Sequence, residues 1–222
     1  EPGHLVAFRS GNAGGITVGY GEGEMFLASD LQALLSNTSK VAFLAPGEIV
    51  SVRRDGASYS SFDGEEIAKT PGSAPYDAVA ITKGGYRHFM LKEIMEQPEV
   101  IRSTLAGRIS LNPPDVWLEG FPFTNAEVQD IHRVMLTGMG TSLHACQVGR
   151  FFMEASAGLP AEVDNASELR YRDPIMDHHT LVVSVSQSGE TADTLGAMET
   201  AAQSQARQIT ICNVEGSQAT RM

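Results

Sequence analysis

Cysteine is nearly absent: Cys146 and Cys212 are the only two in 222 residues. They form no C-x-x-C pair, which excludes a disulfide scaffold and a structural zinc cage. Both lie in apolar surroundings and read as buried, reduced thiols of a cytoplasmic protein. Apolar runs of about 18 residues are also missing, so no membrane span is expected. Glu1-Pro2-Gly3-His4 offers neither a basic region nor a long apolar one, so no signal peptide is visible. Basic residues are scarce, 16 against 27 acidic ones, for a net charge of −11. That balance excludes nucleic acid as the main partner, because phosphate backbones need a basic footprint. An anionic small molecule is not excluded. Local donors can outweigh a distant field that salt screens over about 8 Å.

What is present describes an ordinary soluble globular chain, 42% apolar and 19% charged, long enough for one or two domains. The first 65 or so residues read as short strands with tight turns. His4–Phe8, Ile16–Tyr20 and Glu24–Ala28 are three candidates, the last two joined by the hairpin signal Gly21-Glu22-Gly23. Ser29 is a candidate cap for a short helix through Leu31, Leu34 and Leu35. Val41–Leu44 and Ile49–Val52 resume the strands around Pro46-Gly47, and Arg54-Asp55-Gly56 is another hairpin signal. Adjacent short strands favour antiparallel pairing within an α+β layer. Lys69 to Gly85 reads as a linker around the breaker cluster Thr70–Pro75. Met90, Ile94, Ile101 and Leu105 then recur at helical spacing, with Pro98 either kinking one helix or opening a second.

From about Asn125 the pattern alternates. Val134–Thr137, Ala161–Val163, Leu181–Val185 and Gln208–Asn213 are strand candidates. Between them lie one helix with Ala145, Val148, Gly149, Phe152 and Ala155 on a face and another from about Ala192 to Gln203. Apolar strands alternating with helices predict a parallel sheet covered by helices. In such sheets ligands bind beyond the carboxyl ends of strands. Two loops have that address, Gly138-Met139-Gly140-Thr141-Ser142 and Ser186-Gln187-Ser188-Gly189-Glu190-Thr191. Each offers hydroxyls and backbone N–H groups at a helix start, a site for an anion and above all a phosphate.

These two loops, with Ser167–Tyr171, Ala192-Asp193-Thr194 and Ile211–Val214, resemble the sugar isomerase (SIS) domain. The likeness is to the first such domain of the glutamine–fructose-6-phosphate aminotransferases, the glucosamine-6-phosphate synthases. Tyr86–Pro98 resembles the segment joining the two halves of that family. Arg9-Ser10-Gly11 and Phe26–Asp30 resemble the end of its glutaminase domain. The resemblance implies an α/β, SIS-type parallel-sheet sandwich, incomplete here, preceded by the antiparallel α+β end of an N-terminal-nucleophile glutaminase domain. It divides the chain into 1–68 (end of the glutaminase domain), 69–85 (linker), 86–124 (connecting helical segment) and 125–222 (first SIS domain, truncated). The family hydrolyses glutamine with an N-terminal cysteine and uses the ammonia to convert fructose 6-phosphate into glucosamine 6-phosphate. By resemblance Thr141, Ser142, Ser186, Gln187, Ser188 and Thr191 contact the sugar phosphate, with Ser186, Ser188 and Thr191 on the phosphate itself. No metal or organic cofactor is implied, and the complete protein is expected to be a cytoplasmic homodimer. Met139 stands where many members have Cys, which leaves the backbone and hydroxyls of that loop in place.

Parts of the family's machinery have no match here. The first cysteine is Cys146, so the glutaminase nucleophile and the glutamine site are expected outside this chain, as are the catalytic residues of a second SIS domain. The expectation is a central fragment that alone neither hydrolyses glutamine nor isomerises a sugar. The rival is a non-catalytic, SIS-type sugar-phosphate-binding regulator, and a third reading is a purely structural fragment. Ser188 is also a candidate helix cap. Glu190 reads as a solvated first-turn acid rather than a general base. His178-His179 reads as a solvated loop rather than a metal site, and His88 as a packing or hinge residue rather than a catalyst. Arg170 and Arg172 read as surface side chains rather than anion ligands. Gly19–Gly23 reads as a hairpin, since no helix follows it as dinucleotide binding requires.

Overall fold

The computed structural model describes residues 2–11, 15–74 and 84–222. Its N-terminal strands are β1 (His4–Phe8), β2 (Thr17–Tyr20), β3 (Met25–Ala28), β4 (Lys40–Phe43), β5 (Glu48–Arg53), β6 (Gly56–Ser61), β7 (Glu66–Ile67) and β8 (Gly72–Ser73). They pair antiparallel in two sheets, ordered β1-β5-β6-β7 and β3-β2-β4-β8. Both hairpins expected from glycine turns are present: β2 pairs with β3, and β5 with β6 so that Arg53 faces Gly56. Val18 and Ala42 of one sheet cluster with Val50, Val52 and Tyr59 of the other, so the two sheets share one core. The helix expected behind Ser29 is a short 3-10 turn over Leu31–Ala33, capped by the Asp30 carboxylate on the Gln32 N–H. Asp30 wins the cap because its carboxylate reaches two residues on. Within the breaker cluster, Gly72 and Ser73 pair with β4. The remainder of the predicted linker, 75–83, lies outside the described residues.

The described residues 84–128 belong to a separate compact unit. Its helix α1 (Phe89–Leu105) is single and carries Pro98 inside it, and none of its residues is buried. A hairpin of β9 (Ile109–Leu111) and β10 (Pro114–Val116) follows. Thr124 and Glu127 then form a capping box at the start of α2 (Asn125–Gln129), the Thr124 N–H donating to the Glu127 carboxylate at 2.8 Å.

The other unit combines the N-terminal sheets with residues 129–222. There β11 (Arg133–Gly138), α3 (Thr141–Phe152), β12 (Ala161–Asn165), α4 (Ala166–Leu169), β13 (Thr180–Ser186), α5 (Ala192–Gln203), β14 (Arg207–Cys212) and α6 (Gln218–Arg221) succeed one another. The strands form a wholly parallel sheet in the order β12-β11-β13-β14. A central parallel strand is buried on both faces, which is why β13 reads Thr-Leu-Val-Val-Ser-Val-Ser, rich in β-branched residues.

Met135 points into a core with Val182, Leu169 of α4 and Ala197 and Ala201 of α5. The next residue, Leu136, must face the opposite side of the sheet. There Gly149 of α3 comes so close that an added Cβ would lie 3.0 Å from a Leu136 methyl. Thus α3 and α5 cover opposite faces, and the chain leaves β11 towards β12 but leaves β13 towards β14. The order of strands reverses between β11 and β13. Of the apolar face expected on α3, Gly149 meets the sheet, beside the buried Cys146, while Ala145, Val148 and Phe152 are exposed. A small residue lets the helix approach the sheet more closely than a phenylalanine would.

Leu169 is fully buried beneath α5, so Leu169→Ala should cost about 2–5 kcal/mol in urea unfolding. Ile175→Ala, at a position 87% exposed, should stay within about 0.5 kcal/mol of the parent.

Candidate functional site

The pairing of β11 with β13 sets Gly138 opposite Val185, so both strands end at the same edge of the sheet. Gly138 is required there. An added Cβ would sit 2.9 Å from the Val185 carbonyl and 3.2 Å from Ser142. Gly140 follows with φ of 56° and ψ of −127°, backbone that glycine adopts freely. It turns the chain into α3, where Thr141 is exposed and Ser142 half-buried. The two predicted loops therefore stand side by side at the point where the strand order reverses, the place where open α/β sheets bind ligands.

The second loop is built by its own hydroxyls. Ser186 Oγ accepts the Gly189 N–H at 3.0 Å, and Ser188 Oγ accepts the Glu190 N–H at 3.2 Å. A hydroxyl that accepts still carries a proton to donate. Ser186 and Ser188 can thus shape the loop and donate to an anion together. Ser188 does not cap α5: the N-cap is Thr191, whose side chain makes no capping bond and is half-buried at the helix start. Gln187 is exposed at the loop tip. Beside the loop runs a cleft lined by Gln187 and Ser188 on one side and Asp30, Gln32 and Phe43 on the other.

Gly189 has φ of 67° and presses against the segment that leads into α6. An added Cβ would stand 2.0 Å from Ser217 Oγ and 2.9 Å from Cys212 Sγ. The Gly189 carbonyl accepts the Ala219 N–H at 3.0 Å. Cys212 is accordingly not in apolar surroundings: it is half-buried, with its sulfur 3.5 Å from Ser217 Oγ and taking the Val214 N–H. Cys146 matches the expectation. It is 1% exposed, and burial raises its thiol to about 11.

Glu190 is not a solvated acid. Its Oε1 accepts the Gln218 N–H at 2.9 Å, fixing α6 to the loop. Its Oε2 is buried, without a hydrogen-bond partner among the described residues, and would lie 2.7 Å from a Cβ built on Gly15. Two arginines lie within the field of this carboxylate. Burial lowers the pKa of Arg9 while Glu190 and Glu48 oppose that shift. Burial likewise lowers Arg221, again opposed by Glu190. Arg9 is 4% exposed and donates to the Leu44 carbonyl at 2.8 Å; Arg221 stacks over the Phe43 ring at 4.2 Å. The glutamate next to the hydroxyl loop is therefore fixed by α6 and lies close to Gly15 of the N-terminal segment. The residue types gave no signal of this, because the partners are remote in sequence.

Arg170 pairs with Asp193 at 2.8 Å and Arg172 with Asp164 at 2.8 Å, so both are occupied by carboxylates. His178-His179 is not a simple solvated loop. Asp130 stands against it, and His132 stacks on His179 at 4.3 Å. Among the described residues no helix is long and apolar enough to cross a membrane.

A doubly wound parallel sheet with hydroxyl-rich loops at its reversal point defines a class, and the SIS domain model matches residues 127–222. Over its whole length the chain corresponds to a stretch of the glutamine–fructose-6-phosphate aminotransferases. It is 42% identical over 221 residues to the isomerizing enzyme of that name from Clostridium tetani, covering 100% of this chain and 36% of the relative. The Aquifex aeolicus protein of the same name is 42% identical over 217 residues, covering 98% of this chain and 35% of that one. The chain thus spans little more than a third of the length of these relatives. Among solved structures it is similar to the C-terminal domain of glucosamine-fructose-6-phosphate aminotransferase from Francisella tularensis. The TM-score is 0.56 at 35% identity, over 63% of this chain and 39% of that one.

Gly189→Ala should lower stability by at least about 1–2 kcal/mol, the cost of a left-handed L-residue. The loss should exceed that of Gly64→Ala, where φ is 85° but nothing lies within 4 Å of the new Cβ. Chemical unfolding of the two variants measures the difference.

Proposed function

We propose that the chain is the central part of a glutamine–fructose-6-phosphate aminotransferase and that its two loops hold the phosphate of fructose 6-phosphate or glucosamine 6-phosphate. In this reading 1–68 ends a glutaminase domain, 69–85 is the linker, 86–124 connects, and 125–222 belongs to the first SIS domain. The observation that carries it is the pair of loops at the reversal point, within a chain that matches that enzyme along its whole length. A dianion is held well by several neutral donors at helix starts. Ser186, Ser188 and Thr191 supply such donors at the start of α5, and Thr141 and Ser142 at the start of α3. Gln187 closes over the sugar from the loop tip.

Glutamine and the reacting carbons belong to other parts of the complete homodimer. Within these 222 residues neither thiol suits a glutaminase. Cys146 is buried with its ionisation suppressed, and Cys212 is packed behind Gly189. With both cysteines free, we assign the protein to the cytoplasm. The regulator reading is disfavoured by the match at the N-terminal sheets, which a binding module has no reason to carry.

Fructose 6-phosphate titrated calorimetrically into the chain should bind with one-to-one stoichiometry. Ser188→Ala with Thr191→Ala should weaken it by about 1.5–3 kcal/mol per lost hydrogen bond to the phosphate. Unchanged affinity in the double variant would remove the loop from the phosphate site. The same 222-residue chain should release no ammonia from glutamine in a coupled assay; release would overturn its assignment as lacking the glutaminase nucleophile.

A further inference from the structure

The sheet has a second chemical end. At its amino edge, Asp130 precedes β11, His178 and His179 precede β13, and Arg207 opens β14. One ligand atom from each of Asp130, His178 and His179 falls within 4.8 Å of the others. The ring of His179 lies 3.9 Å from that of His178 and is stacked at 8° on His132. His179 Nδ1 is 3.1 Å from the Asp130 carboxylate and 3.0 Å from the Asp130 carbonyl oxygen.

The frame beneath these groups is rigid. The His179 N–H donates to the Asp177 carboxylate at 3.0 Å, the Thr180 N–H to the Asp177 carbonyl at 3.0 Å, and the His132 N–H to the His179 carbonyl at 2.9 Å. One competing cation is present: Arg207 binds Asp130 Oδ2 at 2.9 Å and also donates to the His178 carbonyl. It leaves Oδ1 on the side of the imidazoles. A metal ligand carboxylate is commonly held by such an outer donor.

We propose that Asp130, His178 and His179 form a binding site for a borderline divalent cation, with zinc as the best fit. Two imidazoles and one carboxylate oxygen are ligands zinc accepts, with water completing a tetrahedron. The ion joins the segment before β11 to the turn before β13. It stands at the opposite end of these strands from the hydroxyl loops, so its role is to staple the sheet and not to meet the sugar phosphate.

Zinc titrated into the 222-residue chain against a chromophoric chelator tests the site. One ion per chain should bind, and thermal unfolding should move to higher temperature with zinc. His178 is exposed, so His178→Ala keeps the fold; it should weaken zinc binding by at least about tenfold and abolish the thermal shift. Asp130→Asn should act in the same direction. His88→Ala and His144→Ala should leave the titration unchanged. Cobalt in place of zinc should give the intense visible absorption of a tetrahedral centre, lost in His178→Ala. Equal zinc affinity in the parent and His178→Ala, or loss of binding in the His88 or His144 variant instead, would overturn the proposal.

Discussion

The pairing of β11 with β13 is the constraint on which the rest depends. Leaving β11 towards one edge and β13 towards the other forces α3 and α5 onto opposite faces. The first turns of both helices then open beside each other at the strand ends. The register does the remainder: with Gly138 opposite Val185, any side chain at 138 would push the two loops apart. A slip by one residue would turn Met135 out of its core and Leu136 into it. The geometry of the two-loop edge is thus a consequence of the sheet core, and the buried apolar residues of β13 stabilise it although none of them reaches it.

The hydroxyl loop depends equally on what stands behind it. Gly189 admits Ser217 into van der Waals contact, and Glu190 accepts an N–H from α6. The Glu190 carboxylate is buried near Arg9, itself nearly inaccessible among the N-terminal strands. A buried charge is costly unless compensated. Separating the N-terminal sheets from the parallel sheet would expose the Glu190 oxygen that faces Gly15. Gly15, which comes close to Glu190 Oε2, therefore ties the N-terminal segment to the loop that carries Ser186, Ser188 and Thr191.

Much of this was legible in the residues. The β-branched run of β13, the Gly-Met-Gly-Thr-Ser turn and the glycine hairpins announced strand ends, because those signals are local. The motif order also announced the family. What stayed hidden depends on contacts between remote segments. Glu190 looks like any helix-start acid until Gly15 and Gln218 close on it. Cys212 looks apolar from Ile209 and Ile211, yet the strand ends there and the sulfur meets polar backbone. The stripe on α3 was right at Gly149 and wrong at Val148 and Phe152, because the helix approaches the sheet through small residues. Asp130 and His178 lie on different connections, so no spacing rule pairs them.

In the two readings proposed above, the ends of the parallel sheet take opposite charges. At the carboxyl ends, helix starts and hydroxyls present positive dipole and O–H donors to an anion. At the amino ends, an aspartate and two imidazoles gather, with Arg207 bound to one carboxylate oxygen. In both places a side chain ties down the local backbone: Ser186 brackets its loop, as Asp177 brackets the turn before β13. Both brackets sit at the limits of the same strand. A change that loosens β13 would therefore disturb both ends at once, whereas a change in one bracket should leave the other end intact.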